Sequence, residues 1–288
     1  MKLLRSPSAV STFCRRAPSP VVLVPTMGAL HRGHGELIRK ARRLAGKTGT
    51  VVVSIFVNPT QFGPSEDFSR YPRTLAEDRK LCEAEGADLV FAPSTLYAED
   101  ASVFVEESRL STGLCGRTRP GHFQGVCTVV AKLFLLTSPD VAVFGRKDYQ
   151  QLAVIRRMVR DLYFPIRIVG AETVREPDGL ALSSRNRYLD DSHRAQAIRI
   201  VGALRDAQRA ARDGVRSASR LRSLITREIN RAPDARIDYV EIVHPDSLDP
   251  IRTVQSRAVA AVAVFFGKTR LIDNIPLSCP SGRPDEEP

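Results

Sequence analysis

Apolar positions in the first 175 residues fall into short, uninterrupted runs: Val21–Thr26 ("VVLVPT"), Thr50–Val57, Leu89–Ala92, Val141–Gly145 and Ile166–Val169. Between them, Glu36–Leu44, Leu75–Glu85, Thr128–Leu136 and Tyr149–Asp161 carry apolar residues at helical spacing. Strands alternating with helices of this size predict an α/β fold built on a parallel sheet. Runs without alternation suit strands covered on both faces. Beyond "VREPDGLALSSRNRYLDD" the texture changes. Two arginine-rich helical stretches, Ser192–Asp213 and Ala218–Arg231, precede strands predicted at Ile237–Val243, Ala258–Phe266 and Leu271–Ile275. That order predicts a separate α+β unit. The expected organisation is therefore a domain over 1–175, a smaller one over 176–288, and a hinge near Glu176–Gly179. The polar tail, about 277–288, is expected to be disordered.

Composition narrows the class. A hydrophobic content of 43% with 26% charged residues is that of a globular protein with a substantial core. No run approaches the ~18 apolar residues of a membrane helix. The acid-poor start resembles a transit peptide, but the strand at Val21 leaves little chain to remove, and cleavable targeting is not expected. Five scattered cysteines without a C-x-x-C pair argue against a disulfide framework or zinc site, and for a reducing, cytoplasmic setting. The net charge of +11 raises the question of nucleic acid. The basic residues are spread along the chain, however, and only 7 of the 43 are lysines, so no nucleic-acid partner is expected.

The chemistry begins at "VPTMGALHRGHG". A strand ends at Thr26, a glycine-bearing loop follows, and a helix starts near His34. In an open parallel sheet, ligands bind beyond the carboxyl ends of strands, where a helix N-terminus attracts phosphate. His31 and His34 could donate to phosphate oxygens as charge builds. The segment does not fit G-x-G-x-x-G. "ARRLAGKT" mimics a Walker loop only in its last residues, and at a helix end.

Five further stretches carry candidate chemistry. Asn58 and Gln61 follow the second strand, and their amides suit a hydroxy acid, although an Asn-Pro turn explains them equally. Glu77 and Asp78 look like an exposed helix turn, one of which could hold Mg²⁺ through water. Arg119 and His122 occupy a Gly/Pro-rich loop and could grip a carboxylate. After the strand at Val141, Lys147 could reach phosphate and Asp148 ribose hydroxyls, while Gln151 faces the cleft. Ser183, Ser184 and Arg185 could form a mobile clamp on a triphosphate, or cap a helix.

Together "VPTMGALHRGH", "VSIFVNPTQF", "YPRT", "RPGHFQGVCTVV", "FGRKDYQQL" and "TVREPDGLALSSRNRYL", with "KTRLIDNI" near the end, resemble the pantoate–β-alanine ligase (pantothenate synthetase) family of the H-x-G-H nucleotidyltransferase superfamily. The resemblance implies a Rossmann-like, doubly wound domain, a C-terminal lid, a homodimer and Mg²⁺. It implies that D-pantoate is adenylated by ATP and that β-alanine then displaces AMP. By position it assigns Met27, Gly28, Ala29, Leu30, His31, Arg32, Gly33 and His34 to ATP, with His34 as proton donor. Gly145, Arg146, Lys147 and Asp148 follow on ribose and phosphates, Val174 on adenine, and Leu182, Ser183, Ser184 and Arg185 over the phosphates. Gln61 and Gln151 would hold pantoate. Arg146 stands where the family usually has an acid, and a solvent-facing side chain is expected there. Two rivals stay open: a nucleotidyltransferase that leaves the nucleotide on its product, and a non-catalytic RNA-binding relative.

Overall fold

The computed structural model describes residues 1–64 and 66–279. They form two compact units, the first Met1–Val174 and the second from Arg175 onward. In unit 1 the strands are β1 (Lys2–Leu4), β2 (Val21–Thr26), β3 (Thr50–Ile55), β4 (Leu89–Phe91), β5 (Val141–Gly145) and β6 (Arg167–Ala171). All pair in parallel, in the order β1-β4-β3-β2-β5-β6. The helices are α1 (Pro7–Arg16), α2 (Arg32–Ala45), α3 (Leu75–Ala84), α4 (Leu114–Thr118), α5 (His122–Thr137) and α6 (Tyr149–Asp161). Unit 1 is thus the expected α/β sheet.

The strand order explains where chemistry can sit. From β2 the chain moves outward through β3 to β4, then returns to place β5 on the other flank of β2. The loops leaving β2 and β5 therefore diverge, and the crevice between them is the binding position of an open α/β sheet. Val22, Val24, Val51, Val53 and Val143 are fully buried in the core beneath it.

Three elements of unit 1 lie outside the sequence reading: β1, α1 and the short helix α4. β1 extends the sheet edge beside β4, and α1 starts with Ser6 accepting from the Ala9 amide ahead of Pro7 at the first helical position. A three-residue strand and a helix that buries only Val10 and Cys14 leave almost no periodic signal. A further difference matters more for the site. α5 begins at His122, six residues before the sequence reading starts it, because most of its first half is buried and its apolar stripe is not distinct.

Gly125 has a packing reason to be glycine. A Cβ there would lie 2.5 Å from the Thr60 carbonyl oxygen and 2.7 Å from the Gln61 nitrogen. The α5 backbone therefore comes directly against the 3₁₀ turn Pro59–Gln61.

Unit 2 contains α7 (Asp191–Ala197), α8 (Arg199–Arg212), α9 (Ala218–Ile229) and the antiparallel strands β7 (Ala235–Val243), β8 (Arg257–Phe266) and β9 (Thr269–Ser278). The first helical stretch is interrupted at Ile198. Leu204, Leu221 and Ile225 pack on Ala260, Val262 and Val264 of the central strand. β9 runs to Ser278, and Leu277 and Cys279 are buried, which corrects the expectation of a disordered tail from 277. The remainder of that tail, 280–288, lies outside the described residues.

Gly125→Ala should cost about 1–3 kcal/mol of stability through overpacking against backbone that cannot yield. Urea unfolding checks this, and an unchanged midpoint would contradict the contact.

Candidate active site

The loop after β2 owes its shape to a residue on α3. Gly28 and Ala29 both have positive φ, +85° and +50°, which is costly for alanine. Such a turn aims successive amides into one concave nest, and here the nest holds the Asp78 carboxylate. Asp78 Oδ2 accepts from Ala29 N at 3.1 Å and Oδ1 from Leu30 N at 2.7 Å, with Thr74 Oγ1 at 3.1 Å. Asp78 is 2% exposed. Burial pushes its carboxyl above the usual range, against the pull of these donors. The reading of Asp78 as an exposed turn residue is therefore corrected: it is buried, with three donors on its carboxylate. Glu77 is exposed, and among the described residues no group of three His, Cys, Asp or Glu could hold a metal ion.

The histidine pair follows directly. His31 caps α2: its Nδ1 accepts from Gly33 N at 3.1 Å, while His34 Nδ1 accepts from His31 N at 3.2 Å. This is a reciprocal capping box made of two imidazoles, where serine and glutamate usually serve. The spacing of three residues is what the box requires. Accepting at Nδ1 leaves each ring with its proton on Nε2. The rings are 4.1 Å apart. Desolvation, then the charges of His31 and Lys147, lower the His34 pKa to about 3. Arg32 is exposed at the start of α2.

On β5, Gly145 has nothing within 4 Å of where a Cβ would stand, so the protein itself does not demand glycine there. Lys147 Nζ lies 3.6 Å from Asp148 Oδ1, with the lysine side chain 20% exposed. Arg146 pairs with Glu172 at 2.8 Å and is half exposed, so its charge is balanced on the β6 side. Val174, half-buried, ends the unit. In unit 2, Leu182 precedes a 3₁₀ turn over Ser184–Tyr188, and Ser183 Oγ accepts from Arg185 N, which is the capping alternative.

The amide-bearing residues divide into support and contact. Asn58 is 1% exposed. Its Nδ2 donates to Gln61 Oε1 (3.2 Å) and the Gly125 carbonyl (3.0 Å). Its Oδ1 accepts from Thr60 (3.0 Å) and Tyr97 (2.8 Å). All four of its hydrogen-bonding positions are used within the protein, and one of them supports Gln61. With Oε1 taken, Gln61 presents its NH₂, 2.9 Å from Met27 Sδ. Gln151 is half-buried on α6. Its neighbour Gln150, absent from the sequence reading, bonds the Leu110 and Gly113 carbonyls and the Cys115 amide. Helical spacing to buried Val154 was the signal that Gln150 faces inward.

Arg119 and His122 do meet a carboxylate, but it is the protein's own. Arg119 forks onto Glu66, Nε to Oε1 at 2.6 Å and Nη2 to Oε2 at 2.7 Å. His122 Nδ1 lies 2.8 Å from the Gln61 carbonyl oxygen. In this structure the groups that Arg119 and His122 hold are Glu66 and the Gln61 carbonyl. Glu66, inside a polar loop, carried no local signal.

A family model described as pantoate-beta-alanine ligase matches residues 2–276. The chain belongs to the pantoate–β-alanine ligase family. Among its relatives, the pantothenate synthetase of Akkermansia muciniphila is 53% identical over 89% of this chain and 92% of that protein. That of Anaeromyxobacter dehalogenans is 51% identical over 95% and 97%. The crystal structure of pantothenate synthetase from Thermus thermophilus shares 46% identity with a TM-score of 0.90, covering 96% of this chain and 99% of that one. The pantoate-beta-alanine ligase of Francisella tularensis, complexed with beta-gamma ATP and beta-alanine, shares 32% identity with a TM-score of 0.78 over 96% and 97%. Within the ligase family, then, this chain has its histidine loop fastened from α3 and its Gln61 fastened from α5.

Asp78→Asn keeps the size but turns one acceptor into a donor facing an amide. It should lower stability by about 1–3 kcal/mol and reduce ligase turnover more than it raises the KM for β-alanine. Wild-type kinetics in this variant would contradict the bracing role. Acid should also weaken the fold. Unfolded histidine protonates near 6.5, whereas folded His34 stays neutral to about 3 and His122, desolvated beside Arg119, to about 4. The unfolded state then binds more protons, so stability is full above about pH 6.5 and falls as pH drops toward 4. A melting temperature that stays flat across that window would contradict it.

Proposed function

We propose that the chain condenses D-pantoate with β-alanine at the crevice between the β2 and β5 loops, using ATP and passing through pantoyl adenylate. One pantoate carboxylate oxygen attacks the α-phosphorus and pyrophosphate leaves. The neutral amine of β-alanine then attacks the acyl carbon, loses a proton, and AMP departs with the bond that joined it to the acyl group. The observation that carries this reading is the reciprocal histidine cap at the end of β2, which turns two Nε2–H groups into fixed donors beside Lys147.

The roles follow from charge and hydrogen-bond polarity. Phosphoryl transfer needs placement and charge stabilisation more than covalent help. Lys147 supplies a positive charge for the phosphates, and Asp148 accepts from ribose. The open space over Gly145 lets the ribose approach the backbone. His34, neutral by virtue of its surroundings, serves as an Nε2–H hydrogen-bond donor to the developing oxyanion; an imidazolium acid is not required. His31 acts beside it. The Gln61 NH₂ and Gln151 hold pantoate, whose carboxylate and hydroxyls need donors. In this reading Val174 serves adenine, and Leu182, Ser183, Ser184 and Arg185 serve the phosphates.

Mg²⁺ accompanies ATP in this proposal. The Asp78 carboxylate is engaged by Ala29, Leu30 and Thr74, and no step is assigned to Glu77 or Asp78 through the ion. We further propose a homodimer working in the cytoplasm; among the described residues no helix is long and apolar enough to cross a membrane.

ATP–pyrophosphate exchange is the test. Exchange should require D-pantoate, proceed without β-alanine, and give way to AMP release when β-alanine is added. His34→Ala and Lys147→Ala should each lose about 10²–10³ in exchange rate while staying folded. No pantoate-dependent exchange by a folded, ATP-binding protein would overturn the proposal.

A further inference from the structure

We propose that Glu66 is a positioning residue for pantoate binding, acting on Gln61 through Arg119 and His122. The inference rests on the reading above that Gln61 holds pantoate.

The hydrogen-bond polarity along this relay has only one solution. A guanidinium donates and never accepts. Arg119 spends Nε and Nη2 on the two oxygens of Glu66, and its Nη1 lies 3.0 Å from His122 Nε2. That ring nitrogen must therefore be bare, which puts the imidazole proton on Nδ1. Nδ1 is the atom 2.8 Å from the Gln61 carbonyl oxygen, which can only accept. Arg119 Nη2 reaches the same carbonyl at 3.3 Å. The carbonyl of Gln61 is thus held by two donors whose orientation traces back to one carboxylate.

The pair is shielded enough to matter. Arg119 and Glu66 side chains are 17% and 23% exposed, unlike the surface pairs that contribute little. Burial alone pushes the Glu66 carboxyl up, but Arg119 outweighs it and holds the group below the usual carboxylate range. A forked pair fixes direction as well as charge.

Gln61 is clamped from the other side too. Asn58 holds its Oε1, and the close approach of Gly125 sets its backbone. The relay is what fixes the remaining freedom, the tilt of the 59–61 turn on α5. Without the Glu66 charge, Arg119 has no reason to keep its Nη1 against His122, the ring can take its other tautomer, and the Gln61 carbonyl loses its donors. The NH₂ that meets pantoate would then sample several directions.

Steady-state kinetics on Glu66→Gln, Arg119→Lys and Gln61→Ala tests this. Glu66→Gln keeps the shape, and Arg119→Lys keeps the charge but cannot fork. Both should raise the KM for pantoate about tenfold, roughly one hydrogen bond of placement. The KM for ATP should stay within about twofold, since the relay touches only the Gln61 side of the crevice. Gln61→Ala should raise the pantoate KM at least as much. If Gln61→Ala raises it and the two relay variants leave it unchanged, the inference is overturned. If Gln61→Ala itself leaves the pantoate KM unchanged, the reading of Gln61 fails first. A uniform loss of kcat with every KM unaltered would mark Glu66 as merely structural and also overturn the proposal.

Discussion

A buried carboxylate from α3 holding two backbone amides of the loop after β2 is the contact on which the rest of unit 1's chemistry depends. Gly28 and Ala29 adopt left-handed backbone, and Ala29 gains nothing locally by doing so. Asp78 makes the conformation worthwhile by satisfying the amides of Ala29 and Leu30, which would otherwise be buried donors without acceptors. Because the next residue is His31, the carboxylate also decides where α2 begins and how its cap is oriented.

From that anchor the site is assembled by a series of bonds with fixed polarity. His31 and His34 accept from each other's neighbourhood at Nδ1, so both are donors at Nε2. Asn58 takes Oε1 of Gln61, so Gln61 is a donor outward. Glu66, Arg119 and His122 hold the carbonyl of the same residue. A polar group with one protein partner has its remaining hydrogen-bonding role narrowed, and on the rings of His31 and His34 what remains is an N–H donor. The sheet contributes position: with β3 and β5 on opposite flanks of β2, the histidine loop and the lysine loop border one crevice. Preorganised donors of this kind do not reorganise as charge develops, which is their catalytic advantage.

Much of this was legible in the sequence, and the reasons are physical. Strands buried on both faces give unbroken apolar runs, so β2 and β5 were readable residue by residue. The spacing of His31 and His34 was visible as a motif, although its use as a capping box needs the helix start to be known. What escaped the reading depends on long-range pairing. Asp78 is 48 residues from Leu30, and Glu66 is 53 from Arg119. Each looks like an ordinary solvated acid in a polar stretch, because a one-dimensional pattern does not reveal which charge is buried by a distant element. The same blindness hid the protein partners of Arg119, His122 and Asn58, which are Glu66, the Gln61 carbonyl and the Gln61 side chain. Gln150 and Gln151 show the finer limit, where one step around a helix separates a buried residue that braces loops from a half-buried one.

The most direct test of this account is a ¹⁵N–¹H correlation measurement of the histidine side chains across a pH titration, with His34 assigned by substitution. His34 should appear as the neutral tautomer protonated on Nε2, and should remain so well below pH 6.5, the point at which an ordinary histidine is half protonated. A His34 ring that is protonated on Nδ1, or that titrates to imidazolium near neutral pH, would contradict the capping box and with it the preorganised site.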